Sequence, residues 1–183
     1  MGEYNVSNAL AAILVGRRFH VKPESIQTAL RHFDITANRT QWLKGDAGES
    51  ILSDVYNANP TAMKAVLRDF AEFPCQGRRI AVLGDMLELG DASSELHASV
   101  AEALDPDKVA EVYLYGDEIA SLRDALAERY PAEALHYFKK GDQQALINAL
   151  QEDISYQDMV LLKASHGLHL ENVLAALLDG DRG

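Results

Sequence analysis

With 183 residues, 48% of them apolar, the chain can bury one sizeable core, and its 25% of charged residues is the ordinary share of a globular protein. A net charge of −11 argues against nucleic acid and against an anionic membrane surface as partners, while leaving room for a small anion that meets local donors. A single cysteine, Cys75, cannot form an intrachain disulfide, and no membrane-length apolar run or secretory leader opens the sequence, so a cytoplasmic location is expected.

The first stretch, "MGEYNVSNALAAILVGRRF", enters a helix pattern within a few residues of Met1, which reads as a cut inside a longer protein. Asn8, Ala11, Ala12 and Val15 recur at helical spacing, and Gly16 offers a stop. A second helix is expected from Pro23, a good first-turn residue, with Ile26, Ala29, Leu30 and Phe33 on one face. After "DITAN" the texture changes. "TQWLKG" and "ESILSDVYN" read as strands, 60–72 as a helix and "RRIAVLGD" as a buried strand. A long polar loop leads to a helix over 93–104, followed by the strand "VAEVYLYG", a helix over 117–129 and the strand "ALHYF". A helix over 142–152, the buried strand "DMVLLKAS" and a helix over 168–178 complete the pattern.

This alternation predicts an α/β fold: a Rossmann-like, three-layer domain with a mostly parallel sheet, preceded by a pair of helices. The expected boundary lies near Ala37, giving segments 1–37 and 38–183.

In an open parallel sheet, ligands gather beyond the carboxyl ends of the strands. The segments that follow four strands here, "DVYNANP", "LGDMLELG", "YGDE" and "KASHG", are all polar and should converge on one rim. In the first, Asn59 and Pro60 suit a helix start, but Asp54, Tyr56 and Asn57 exceed what a connection needs. An asparagine amide can pair with a base edge, and an aspartate can accept from ribose hydroxyls. The loop "LGDMLELGDASSELH" is long for its place and carries Asp85, Glu88 and, on the next helix, His97. His97 also fits a capping or surface histidine. In "LLKASHG", Lys163 ends a buried strand and Ser165 precedes a helix, which suits either an N-cap or an anion site. Asn5 and Asn8 lie three apart on one helix face, and Arg39 stands at the junction of the two segments.

The sequence has no G-x-x-x-x-G-K-[ST], G-x-G-x-x-G, C-x-x-C, H-E-x-x-H or G-x-S-x-G motif. No catalytic residue and no metal site is therefore expected within this chain.

"GEYNVSNALAA", "SDVYNANPTAMKAVL", "RRIAVLGDMLELG" and "LLKASHGLHLENV", in that order, resemble the Mur ligases of peptidoglycan synthesis. Within that family, "YNANP" and "GDMLELG" resemble the branch acting on UDP-N-acetylmuramoyl-tripeptide and D-alanyl-D-alanine. The resemblance implies an ATP- and Mg²⁺-dependent amide ligase with three domains. ATP phosphorylates a carboxylate, and the amine of the acceptor attacks the acyl phosphate.

Residues 1–37 would be the last helices of the central ATPase domain, and 38–183 the C-terminal domain that closes on it. The phosphate loop, most of the magnesium site and the UDP-sugar domain would lie in the missing domains, so the chain alone would be inactive. By motif, Asn5 and Asn8 resemble adenine-pocket residues, with Tyr4 where the family usually has His. Arg39 resembles a phosphate-reaching arginine and Asp54 a ribose-binding aspartate, with Tyr56, Asn57 and Asn59 beside the nucleotide. Lys163, Ser165 and His166 resemble the "KGSHG" stretch near the incoming amino acid, with Ala164 in place of Gly. Asp85, Glu88 and His97 fall near the acceptor. A sister ligase for another amino acid, or a non-catalytic nucleotide-binding module, would share part of this pattern.

Overall fold

The structure, a computed structural model, describes residues 3–31 and 41–179, and for residues 3–5 the backbone alone. Arg39, Phe33 and the boundary expected near Ala37 lie outside the described residues. Contacts divide the chain into two compact units, Met1–Thr36 and Ala37–Gly183.

The first unit holds α1 (Glu3–Arg18) and α2 (Pro23–Arg31). Pro23 opens α2, as its fixed φ and missing N–H favour. Gly16 does not stop α1, which runs on to Arg18. The absent side chain serves packing instead: a Cβ on Gly16 would stand 3.1 Å from Ile26 Cδ1 of α2.

The second unit contains a six-stranded sheet in the order β1-β2-β6-β3-β4-β5. The strands are β1 (Gln41–Lys44), β2 (Ser50–Asp54), β3 (Arg79–Gly84), β4 (Glu111–Tyr115), β5 (Leu135–Phe138) and β6 (Met159–Lys163). Only β1 runs antiparallel, against β2. The short link 45–49 cannot make a crossover, so these two strands form a hairpin.

Alternation along the strands sends side chains to two cores. Leu52, Ala81, Leu83, Val112, Leu114 and Leu161 face α3 (Pro60–Glu72), the segment around Val100 and Leu104, and α5 (Ala120–Leu126). Ile51, Val82, Tyr113, Val160 and Leu162 face α6 (Gln143–Asp153) and α7 (Leu170–Leu178). The result is the three-layer arrangement that the sequence predicts. Helix α3 shows how the pattern works. Met63, Leu67 and Phe70 fall on one face and are fully buried, each worth about 1.5–3 kcal/mol of transfer free energy.

Three expected helices come out shorter, α7 by its first two residues only and the other two for local reasons. α4 spans only Ser93–Ala98 and continues as a 3₁₀ turn over Ser99–Ala103. The Ser99 hydroxyl donates to the Leu96 carbonyl at 2.8 Å, and Arg129 donates to the carbonyls of Ala101 and Leu104, which tightens and closes the segment. α5 begins at Ala120 rather than 117, because the amides of Asp117 and Ile119 are taken by a carboxylate from another loop.

At the amino end of the sheet, the Asp158 carboxylate is 4% exposed. It accepts from the Arg78 amide (2.8 Å), the Arg78 guanidinium (2.8 Å) and the Ser155 amide (3.0 Å). Burial pushes this carboxyl up, but the Arg78 guanidinium and the two amides outweigh it and hold it below the usual carboxylate range. A depressed carboxyl contributes stability that is complete above its unfolded pKa and lost as pH falls through the folded one. Asp158→Asn should therefore cost about 2 kcal/mol at neutral pH, a deficit that shrinks below about pH 4. Urea midpoints of both proteins at pH 7 and pH 3 measure it; a deficit that persists unchanged at pH 3 contradicts the assignment.

Candidate functional site

The parallel register places Asp54, the last residue of β2, directly beside Lys163, the last residue of β6. Both side chains project to the α3 side of the sheet, the same side as Leu52 and Leu161. Lys163 Nζ lies 2.5 Å from Asp54 Oδ2 and donates to the Asn57 carbonyl at 2.9 Å. The lysine is 1% exposed and the aspartate side chain 16%. The sequence assigns these residues to two different ligands, and the structure has them hold each other. Lys163 is thus no open anion receptor in this state. It fixes the turn that carries Tyr56 and Asn57, both of which stand exposed.

Asn59 takes the helix start expected of it, with its Oδ1 accepting from the Ala62 amide at 2.9 Å.

The second pair of loops is joined as closely. Ser165 donates its amide to the Asp85 carbonyl (3.0 Å), and its hydroxyl accepts from the Leu87 amide (2.9 Å). The N-cap role suggested for the Ser165 hydroxyl is therefore not the one it plays. The residue preceding α7 is His169, in a left-handed conformation (φ 53°) and without a side-chain cap.

Asp85 also departs from expectation. It is 2% exposed, and its carboxylate accepts from Asp117 N (3.1 Å) and Ile119 N (2.8 Å). It braces the β4–α5 loop rather than facing an acceptor. Gly116 allows this approach: its φ is +136°, and a Cβ there would lie 2.1 Å from Asp85 Oδ1. That glycine sits inside the "YGDE" segment but was not singled out by sequence, because only the loop packing reveals its task.

His97 is completely buried. Its Nδ1 donates to the Ser93 carbonyl at 2.8 Å, which leaves Nε2 to accept from the Met86 amide at 2.9 Å. Neither the surface reading nor direct acceptor contact fits a ring with both nitrogens used inside the protein. It acts as a strut for loop 86–92. Supported by His97 on one side and Ser165 on the other, that loop presents Leu87 and Glu88 to solvent, with Glu88 at φ 65°. A non-glycine residue in this region carries strain that the surrounding structure must impose.

His166 is exposed, and its ring meets Tyr56 edge-on at 5.8 Å between centroids, which links the β2 and β6 loops. Four loops from different strand ends are thereby bonded into one rim. Its accessible or partly accessible polar groups include Asp54, Tyr56, Asn57, Glu88 and His166. Asn8 is exposed on α1 in the first unit, while Arg39 and the Asn5 side chain lie outside the described residues. Among the described residues no three His, Cys, Asp or Glu groups come together in a way that could hold a metal ion. Among them, too, no helix is long and apolar enough to cross a membrane.

The family model for the Mur ligase, glutamate ligase domain matches residues 38–166. The chain belongs to the Mur ligase family. Curated relatives include the UDP-N-acetylmuramoyl-tripeptide–D-alanyl-D-alanine ligase of Bacillus subtilis, 36% identical over 98% of this chain and 39% of the relative. The Escherichia coli enzyme of the same name is 30% identical over 96% of this chain and 37% of its own length. Among solved structures, a MurF crystal structure from Acinetobacter baumannii superposes with a TM-score of 0.80 at 26% identity, covering 97% of this chain and 38% of that one. MurF ligase from Thermotoga maritima, solved in complex with ADP, superposes with a TM-score of 0.68 at 25% identity, covering 91% and 36%. This Mur ligase chain thus spans less than two fifths of the relatives it matches.

Proposed function

We propose that this chain is the C-terminal part of an ATP-dependent amide ligase that joins D-alanyl-D-alanine to UDP-N-acetylmuramoyl-tripeptide. In this reading residues 1–37 are the closing helices of a central ATPase domain, and 38–183 form the domain that shuts over it. The observation that carries the reading is the bonded rim, where the Asp54–Lys163 pair and the Asn57 carbonyl hold a polar turn above the sheet's carboxyl edge.

ATP, when bound, would supply the phosphoryl group that activates the tripeptide carboxylate. The residues here grip and orient. Lys163 holds Asp54 Oδ2, so Oδ1 is the oxygen that accepts from the ribose hydroxyls. Tyr56 and Asn57 offer a ring and an amide to the nucleotide, and Asn5, Asn8 and Arg39 add contacts to adenine and phosphate. Glu88, Ser165 and His166 border the incoming dipeptide, with Asp85 and His97 fixing the loop behind them. Closure of this rim over the central domain excludes water from the activated carboxylate. Magnesium, with most of its ligands on the central domain, is assigned no residue here.

Joining this chain to the N-terminal and central domains of its own gene should give ligation that requires both ATP and D-alanyl-D-alanine, in the cytoplasmic pool of soluble precursors. The isolated chain should bind ATP only weakly, because the contacts are divided between domains. A well-folded full-length protein without ligation defeats the proposal in favour of a non-catalytic nucleotide-binding module. Ligation of another amino acid in place of D-alanyl-D-alanine supports a sister ligase. Micromolar ATP binding by the chain alone contradicts the divided grip.

A further inference from the structure

The opposite end of the sheet carries a second polar hollow. At the amino ends of β2, β3 and β6 lies a cavity of about 540 Å³, large enough for a small organic molecule. Its walls come from the β1–β2 hairpin, the α3–β3 loop and the α6–β6 loop, with Lys44, Phe73, Cys75, Arg79 and Tyr156 on the lining. It is separated from the rim described above by the full length of the strands.

Two features point to an anion. Lys44 and Arg79 form no ion pair with a carboxylate among the described residues, although acids outnumber bases 28 to 17 in the chain. Lys44 Nζ donates to the Gly48 carbonyl (3.2 Å) and the Ser50 hydroxyl (3.0 Å). Arg79 donates to the carbonyls of Lys108 (3.2 Å) and Phe73 (2.7 Å). Both cations are anchored by neutral oxygens and keep further N–H groups. Glu72, the carboxylate on the lining, is paired with Lys108 and feels Arg79 only as a smaller, through-space attraction.

The walls are also built in advance. The Tyr156 ring lies against Gly48, whose φ is +88° and where a Cβ would stand 2.5 Å from the ring. Yet Tyr156 is 71% exposed and Phe73 37%, so both rings keep surface for a ligand. Behind them, the Arg78–Asp158 network holds the α3–β3 and α6–β6 loops together. Preformed walls reduce the ordering cost of binding.

We infer that this cleft binds a small anion carrying a planar ring, a phosphate ester or carboxylate whose charge meets Lys44 and Arg79 and whose ring packs on Phe73 and Tyr156. The chain's single cysteine gives a direct readout, because Cys75 lines the cleft. Phenyl phosphate should slow alkylation of Cys75 by N-ethylmaleimide in the 183-residue chain, saturably, and by about tenfold once the site is nine-tenths filled. Lys44→Gln, an exposed residue whose replacement leaves the core intact, should weaken that protection severalfold. Amide NMR shifts should move at Gly48, Cys75 and Gln157. Unchanged alkylation, equal slowing by sodium chloride at matched ionic strength, or protection identical in Lys44→Gln would each overturn the inference. Shifts confined to Asn57 and Ser165 would also overturn it, placing the anion at the opposite rim.

Discussion

Lys163→Met lowers the stability of the folded chain by about 3–5 kcal/mol, because it leaves the Asp54 carboxylate largely buried without its cation. The effect is large for one substitution, since domains of this size are stable by only about 5–15 kcal/mol. Asp54→Leu alone strands a fully buried ammonium and should cost a similar amount. Lys163→Met combined with Asp54→Leu should recover most of the loss, because replacing both partners removes the uncompensated charge. Urea unfolding of the wild type, both single variants and the double variant measures the coupling. Additive losses in the double variant would show that the two residues act independently, against the geometry. If the proposed ligase is assembled, the double variant should also fold yet grip nucleotide poorly, having lost the Asp54 acceptor.

Gly116→Ala is the second large expectation, at about 3–4 kcal/mol or outright failure to fold. A methyl group would enter the space of the Asp85 carboxylate, on a backbone with φ +136° that L side chains avoid. Yielding on the carboxylate side would release the amides of Asp117 and Ile119 that it holds. Asp85→Ala in the same background should relieve the clash without restoring the amide bonds. Thermal unfolding should thus place Gly116→Ala/Asp85→Ala above Gly116→Ala but below the wild type. A Gly116→Ala protein as stable as wild type would remove the brace from the account of the rim.

Much of this fold is legible in the chain because its signals are local. Apolar periodicity gives α3 from Met63, Leu67 and Phe70, and unbroken apolar runs give β3 and β6. Pro23 and the Asn59–Pro60 pair mark helix starts through their own backbone chemistry. The convergence of four polar segments follows from strand polarity alone. The partners inside the rim were not legible. Asp54 and Lys163 are 109 residues apart, and only the β2–β6 register makes them neighbours. Taken singly, each looks like a ligand-binding group; the same chemistry that suits a ribose or a phosphate suits an opposite charge. His97 and Asp85 were misplaced for a related reason. A polar residue in a long loop gives no sequence signal of whether its partner will be solvent, ligand or a backbone amide from a distant turn. The cleft at the amino ends of the strands has no sequence signature, because its cations, Lys44 and Arg79, are separated in sequence and share no motif.

The sheet order carries a consequence for biogenesis. β6, the last of the six strands to be synthesised, occupies an interior position between β2 and β3, which do not touch each other. A nascent polypeptide emerging from the ribosome can form the β1–β2 hairpin and the β3–β4–β5 ribbon, but these are two halves with an empty slot. Only when residues 159–163 clear the exit tunnel can the halves be stitched together. Completion of the sheet therefore waits on its last strand, and translation arrest before that point leaves two unsatisfied strand edges exposed to chaperones or to a neighbouring chain.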